Sequence, residues 1–235
     1  RKESSAASDV YKRQVVARPV SGSARRPQLM VQGTDAAIGS AYDARAAEYV
    51  ELAGAIEQMD ARDAAVIAAW RDATPGRLLD AGCGPGHWTE FLGTGGREAR
   101  GVDLSAEFIA TARTRHPDVP FDLGTFRDLP LDGGSVGGIL AWYSLIHTPP
   151  ADLPEILAEF GRVLAPGGSI LIGFFDGEPR ESFAHAVAPA FFWSADALAE
   201  LLADAGFAVV SRETRGREQG EISARPHGSL VARRR

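Results

Sequence analysis

Leu78-Leu79-Asp80-Ala81-Gly82-Cys83-Gly84-Pro85-Gly86 joins a short apolar run to a turn with glycine at alternate positions. Glycine there lets the backbone turn sharply and bring its N–H groups against a ligand, since no Cβ stands in the way. Asp80, at the end of the run, is placed to order the turn or to receive a cationic group. Gly101-Val102-Asp103-Leu104-Ser105 follows, with Asp103 21 residues after Gly82. A carboxylate at the end of a second strand can accept both hydrogen bonds of a ribose diol. A dinucleotide site would prefer a third glycine where this chain has His87, so the spacing fits a phosphate-free ligand better. Without a ligand, the same glycines would make an ordinary tight turn, and Asp103 would be a helix N-terminal charge.

A second group of reactive types lies in Trp142-Tyr143-Ser144-Leu145-Ile146-His147-Thr148-Pro149-Pro150. His147 follows an apolar run, and an imidazole suits proton removal near neutrality; the alternative is a packed structural ring. Tyr143 either lines a pocket or packs in the core. His185, Phe191, Phe192 and Trp193 cluster in 176–193, where aromatic surfaces suit a flat ligand or pin the segment to the core. No His/Cys cluster has zinc spacing, and no set of carboxylates is arranged for magnesium, so no metal is expected.

The elements that must carry these residues alternate short apolar runs with capped helices, which predicts a mostly parallel sheet covered on both faces. Strands are expected at Leu78–Ala81, Ala99–Asp103, Pro120–Gly124, Val136–Trp142 and Ser169–Phe175. Ser105 begins a helix carrying Phe108, Ile109 and Ala112. Asp152 and Glu155 have the spacing of a capping box before Ile156, Leu157 and Phe160, and Pro166-Gly167-Gly168 stops that helix. Ser194 caps a helix bearing Leu198, Leu201 and Leu202. Strands Phe207–Arg212 and Gly228–Arg233 follow, and the short gap between them favours an antiparallel pair. Upstream, Tyr42, Ala46, Tyr49 and Val50 share one helical face, and Val66, Ile67 and Trp70 share another after an Asp60 cap.

Residues 1–33 are rich in Ser, Ala, Arg and Lys without a sustained apolar period, and they are expected to stand outside the fold as a disordered or non-native leader. The single domain is expected over 34–235, with 34–74 as cap helices. One cysteine permits no intramolecular disulfide, and no run approaches the roughly 18 apolar residues of a membrane span, so a cytoplasmic protein is expected. A net charge of −6 offers no broad field for a phosphate backbone, which disfavours a nucleic-acid partner.

Together the motifs resemble the class I S-adenosylmethionine-dependent methyltransferases, in particular the small stand-alone bacterial enzymes often called UbiE-like. Asp80, Gly82, Gly84 and Gly86 match the first family motif, and Asp103 matches its ribose-binding acid. Leu129–Val136 and Arg162–Gly168 match two later segments. The resemblance implies a Rossmann-like, doubly wound, seven-stranded sheet with a C-terminal antiparallel strand. It implies S-adenosylmethionine as cofactor, S-adenosylhomocysteine as product, and a small-molecule acceptor methylated on O, N or C by in-line displacement, a step that requires no metal. Cys83, Leu104 and Trp142 then join the cofactor site, with Tyr42 closing over it from a family-like Tyr42-Asp43-Ala44-Arg45-Ala46 segment. His147 is the candidate base, and Tyr143, His185, Phe192 and Trp193 are the candidate acceptor contacts. One departure stands out: the family has Asp after Gly124, accepting from the adenine amino group, whereas this chain has Thr125-Phe126, whose hydroxyl and backbone N–H would serve instead, with Asp128 as an alternative source of the acid. The rival functions are a cofactor-binding regulator or pseudoenzyme and a nicotinamide oxidoreductase.

Overall fold

Leu78 and Leu79 are adjacent and both fully buried, which a strand permits only when each face of its sheet is covered. The computed structural model describes residues 28–216 and 225–235 and shows that arrangement. Strand β1 (Leu78–Ala81) sends Leu78 into a cluster with Ile67, Trp70, Trp88 and Leu92, and sends Leu79 into the opposite cluster with Leu157, Phe160 and Leu202. The neighbouring strands β2 (Ala99–Asp103), β3 (Phe121–Leu123), β4 (Val136–Trp142) and β5 (Leu164–Phe175) run parallel to β1 or to one another.

The full sheet has seven strands in the order β3-β2-β1-β4-β5-β9-β8, with β8 at Phe207–Arg215 and β9 at His227–Arg234. β9 inserts antiparallel between β5 and β8. The order reverses between β1 and β4, and the ends of those two strands open a crevice in which doubly wound sheets bind ligands.

Helices α1 (Gln28–Asp43), α2 (Ala46–Ala53) and α3 (Ala61–Ala73) precede the sheet. Asp60 caps α3, accepting from the Arg62 N–H. Helices α4 (His87–Leu92), α5 (Ala106–Arg115), α6 (Leu153–Val163) and α7 (Ala195–Asp204) cover the faces. Ser105 and Ser194 accept from N–H groups in the first turns of α5 and α7, as expected of N-caps. The segment 176–193 carries a small hairpin, β6 (Ser182–Phe183) with β7 (Ala190–Phe191). No helix among the described residues is long and apolar enough to cross a membrane.

Five expectations change. Helix α1 starts at Gln28, inside the stretch assigned to the leader; residues 1–27 lie outside the described ones. Strand β3 is shorter than Pro120–Gly124. Asp152 makes no side-chain cap bond, because Arg127 draws both it and Glu155, at 3.1 and 3.0 Å. β5 begins at Leu164, pairing once with Val136 before a register shift carries it past Pro166-Gly167-Gly168 to resume at Ser169. β8 and β9 extend to Arg215 and His227, which brings both side chains to the crevice.

Candidate functional site

A cavity of about 610 Å³ opens at the crevice, within the range of small-molecule sites. One wall is the glycine turn. Gly82 and Gly84 have φ of +85° and +52°, the left-handed region that glycine enters at no steric cost. A Cβ on Gly82 would run into the Ser144 side chain, and one on Gly84 would meet nothing within 4 Å. The Gly84 backbone therefore borders open cavity. Asp103 stands beside it, with one carboxylate oxygen accepting from the Gly84 N–H at 2.8 Å and the other from the Ser105 N–H at 2.8 Å. Burial pushes its carboxyl up to about 6, opposed by those backbone donors. Each oxygen keeps a lone pair for another donor. Leu104, Phe108 and Phe126 continue this wall.

The opposite wall is aromatic. Tyr143, Phe175 and His227 pack at centroid separations of 5.1 to 5.7 Å, and His185 lies 6.3 Å from Phe175 and 5.1 Å from His147. Tyr143 is a non-glycine residue at φ +53°, a conformation costing roughly 1–3 kcal/mol, and its hydroxyl is hydrogen bonded to His227 Nδ1 at 2.6 Å. Burial pulls His185 down to about 3 and His147 below its usual value, so both rings are neutral near pH 7. Ser144 contributes a buried hydroxyl oxygen with no hydrogen-bond partner in the structure. Arg215, paired with Asp63 at 2.9 Å, closes the rim, and burial raises the Asp63 carboxyl.

Helix α1 lies over both walls. Tyr42 lines the cavity and is hydrogen bonded to His147 Nε2 at 2.9 Å. Asp43 accepts from the Ser105 hydroxyl at 2.6 Å and the Glu107 N–H at 3.1 Å, which ties α1 to the start of α5. Arg45, at the start of α2, donates to the Ala186 carbonyl, which ties α2 to the 176–193 segment.

The structure brings Gly82, Gly84, Asp103, Leu104, Phe126, Trp142, Tyr42, Tyr143, His147 and His185 to one cavity. Six other candidates are not among its lining residues. Asp80 lies beneath the turn, 1% exposed, accepting from the Thr89 hydroxyl at 2.7 Å, and burial pushes it up to about 7. The Cys83 side chain packs in a cluster with Ile109, Ala112 and Phe121, and Gly86 gives close packing against Phe121 and Ala112. Thr125 spends its hydroxyl proton on Asp35 at 2.6 Å, so α1 supplies a carboxylate beside the position where the resemblance implied an acid. Phe192 stacks on Phe183 at 4.3 Å, and Trp193 is buried in the core, so both pin the segment. His227, Phe175 and Arg215 were not found from the sequence, because no local spacing marks residues that converge from separate strands.

Residues 78–168 match the family model described as a methyltransferase domain. The malonyl-[acyl-carrier protein] O-methyltransferase of Erwinia billingiae is 29% identical over 153 residues, covering 65% of this chain and 59% of that protein. The 1,6-didemethyltoxoflavin-N1-methyltransferase of Burkholderia thailandensis, solved with 1,6-didemethyltoxoflavin and S-adenosylhomocysteine bound, superposes with a TM-score of 0.71 at 24% identity, covering 92% of this chain and 93% of that one. The chain thus has the fold of the class I S-adenosylmethionine-dependent methyltransferases, with a methyltransferase domain matched over 78–168. The chain spans about 59% of the length of that first curated relative. The class I fold also serves other reactions: a [4+2]-cyclase superposes with a TM-score of 0.72 at 18% identity, covering 85% of this chain and 96% of that one. The reaction must therefore be argued from the cavity.

Proposed function

We propose that this class I protein transfers a methyl group from S-adenosylmethionine to a small acceptor. The observation that carries the reading is one continuous cavity in which the Gly84 backbone and the Asp103 carboxylate face an aromatic chamber. The residues fit the cofactor's chemistry. Asp103 would take the ribose diol on its remaining lone pairs, the open space at Gly84 would admit the amino-acid end, and Leu104 and Phe126 would flank the base. The unpartnered Ser144 hydroxyl, beside Gly82, suits a polar group of the ligand. The bound cofactor would supply an electrophilic methyl on a sulfonium.

The chain's own residues would then align the acceptor and exclude water. Tyr143 and His185 would contact the acceptor, α1 to α3 would cap the site, and the 176–193 segment would cover the acceptor side. His147 would serve proton removal where the methylated atom carries a hydrogen.

Isothermal calorimetry with S-adenosylmethionine and S-adenosylhomocysteine tests the first half of the reading, and saturable binding of both is expected. Incubation with fractionated metabolite extracts tests the second, through a product heavier by one CH₂ group and stoichiometric S-adenosylhomocysteine. Cofactor binding without turnover on any fraction would favour a regulator over an enzyme.

A further inference from the structure

The hydrogen bonds around His147 decide which ring nitrogen carries its proton. Nδ1 lies 2.9 Å from the Pro189 carbonyl oxygen, which can only accept, so Nδ1 holds the hydrogen. In the neutral ring Nε2 is then bare, and the Tyr42 hydroxyl 2.9 Å away donates to it. The Nε2 lone pair is therefore already engaged, and His147 cannot reach an acceptor's proton directly without displacing Tyr42. A phenol oxygen can accept as well as donate, and Tyr42 lines the cavity.

The Tyr42–His147 pair also stands between the two walls. Tyr42 packs at 5.6 Å on Phe108, which belongs to the Asp103 side, and His147 packs at 5.1 Å on His185, which belongs to the aromatic chamber. The groups facing His147 are Tyr42 from α1 and, from the 176–193 segment, His185 and the Pro189 carbonyl. The Arg45 cation, also near His185, is paired with Glu48 at 2.8 Å. No carboxylate therefore contacts the imidazole among these groups, and the chamber walls are flat rings.

We propose that Tyr42 is the catalytic residue that takes the acceptor's proton, with His147 behind it as the positioning residue and proton sink. The acceptor is accordingly a flat aromatic or heteroaromatic molecule whose reacting oxygen or ring nitrogen carries an ionisable hydrogen. This rests on the methyl-transfer reading above. In the step, the acceptor's O–H or N–H bond breaks and its electron pair stays on the heteroatom, which bonds the methyl as the sulfonium's carbon–sulfur bond breaks. The acceptor proton passes to the Tyr42 oxygen while the Tyr42 proton passes to Nε2. One positive charge stands in the site before the step, on sulfur, and one after it, on the imidazolium, so the buried site never gains net charge.

The test uses the full chain with ¹⁵N-labelled histidine and saturating S-adenosylhomocysteine, titrated with phenol and benzimidazole and with their blocked counterparts anisole and 1-methylbenzimidazole. Phenol and benzimidazole should shift the His147 Nε2 resonance in the wild type, whereas the blocked compounds should not, and Tyr42→Phe should abolish the response. His147→Gln keeps a hydrogen-bonding partner for Tyr42 but cannot take up a proton. On the acceptor recovered from the extract screen it should lower kcat by roughly 10²–10⁴ with little change in KM, and it should lose the acidic limb of the pH–rate profile. If calorimetry shows no S-adenosylhomocysteine binding, the methyl-transfer reading itself fails. If binding is intact but Nε2 ignores phenol and benzimidazole, or responds equally in Tyr42→Phe, or His147→Gln keeps its kcat, this inference alone is overturned.

Discussion

The two walls of the cavity are built by different rules. The wall proposed for the cofactor comes from a short stretch of chain, Gly82 to Phe126, and it works largely through backbone: two left-handed glycines and a carboxylate held by N–H groups. The aromatic wall is gathered from α1, the β4 loop, the 176–193 segment, β5, β8 and β9, and it works through side chains. A site made of backbone leaves a motif in the sequence. One made of converging side chains leaves only scattered residue types, so it can change its ligand while the first wall stays constant.

The sharpest way to break this contrast is Gly84→Val. A Cβ there touches no protein atom, so the fold should survive while the side chain enters the cavity at a strained φ. Cofactor affinity measured by calorimetry should fall more than a hundredfold with a cooperative melt preserved; unchanged affinity would remove the turn from the site. Asp103→Ala should be milder, losing roughly 1.5–3 kcal/mol, which is about ten- to a hundredfold. Retained affinity in the folded variant would assign Asp103 to the turn alone.

The next effect is one of pH. The Asp103 carboxyl is pushed up to about 6, and only its ionised form offers all its lone pairs to a diol. Cofactor affinity should therefore hold above pH 6 and decline as the pH drops below it, and Asp103→Asn should flatten that decline. A wild-type affinity constant from pH 7.5 to 5 would contradict the assignment. The smallest change is Tyr143→Phe, which removes the bond to His227. One hydrogen bond contributes about 0.5–1.5 kcal/mol, so the acceptor's KM should rise two- to tenfold with cofactor affinity untouched. A loss shared equally by both ligands would show that the two walls are one mechanical unit.

The same contrast explains what the sequence disclosed. The strand–turn–helix around Gly82 and the acid at Asp103 were legible because each depends on neighbours a few residues away, as were the apolar runs of a sheet buried on both faces. His227 was invisible, since its place follows from β9 slipping in antiparallel beside β5 and beginning one residue earlier than the apolar pattern suggested. Thr125 misled for a related reason: its partner Asp35 lies 90 residues upstream on a helix whose start the composition of the leader concealed. Phe192 and Trp193 have the chemistry of acceptor contacts but do not line the cavity, one stacking on Phe183 and the other packing in the core, a direction that residue type does not decide.

Of the four tryptophans in the chain, Trp70, Trp88 and Trp193 are buried away from the cavity, whereas Trp142 lines it and donates a hydrogen bond to Asp63. Indole emission responds to the polarity and charge around the ring. The protein thus carries its own optical probe on the cavity: filling it should change the fluorescence of one residue in four, and Trp142→Phe should silence that signal without a dye or label.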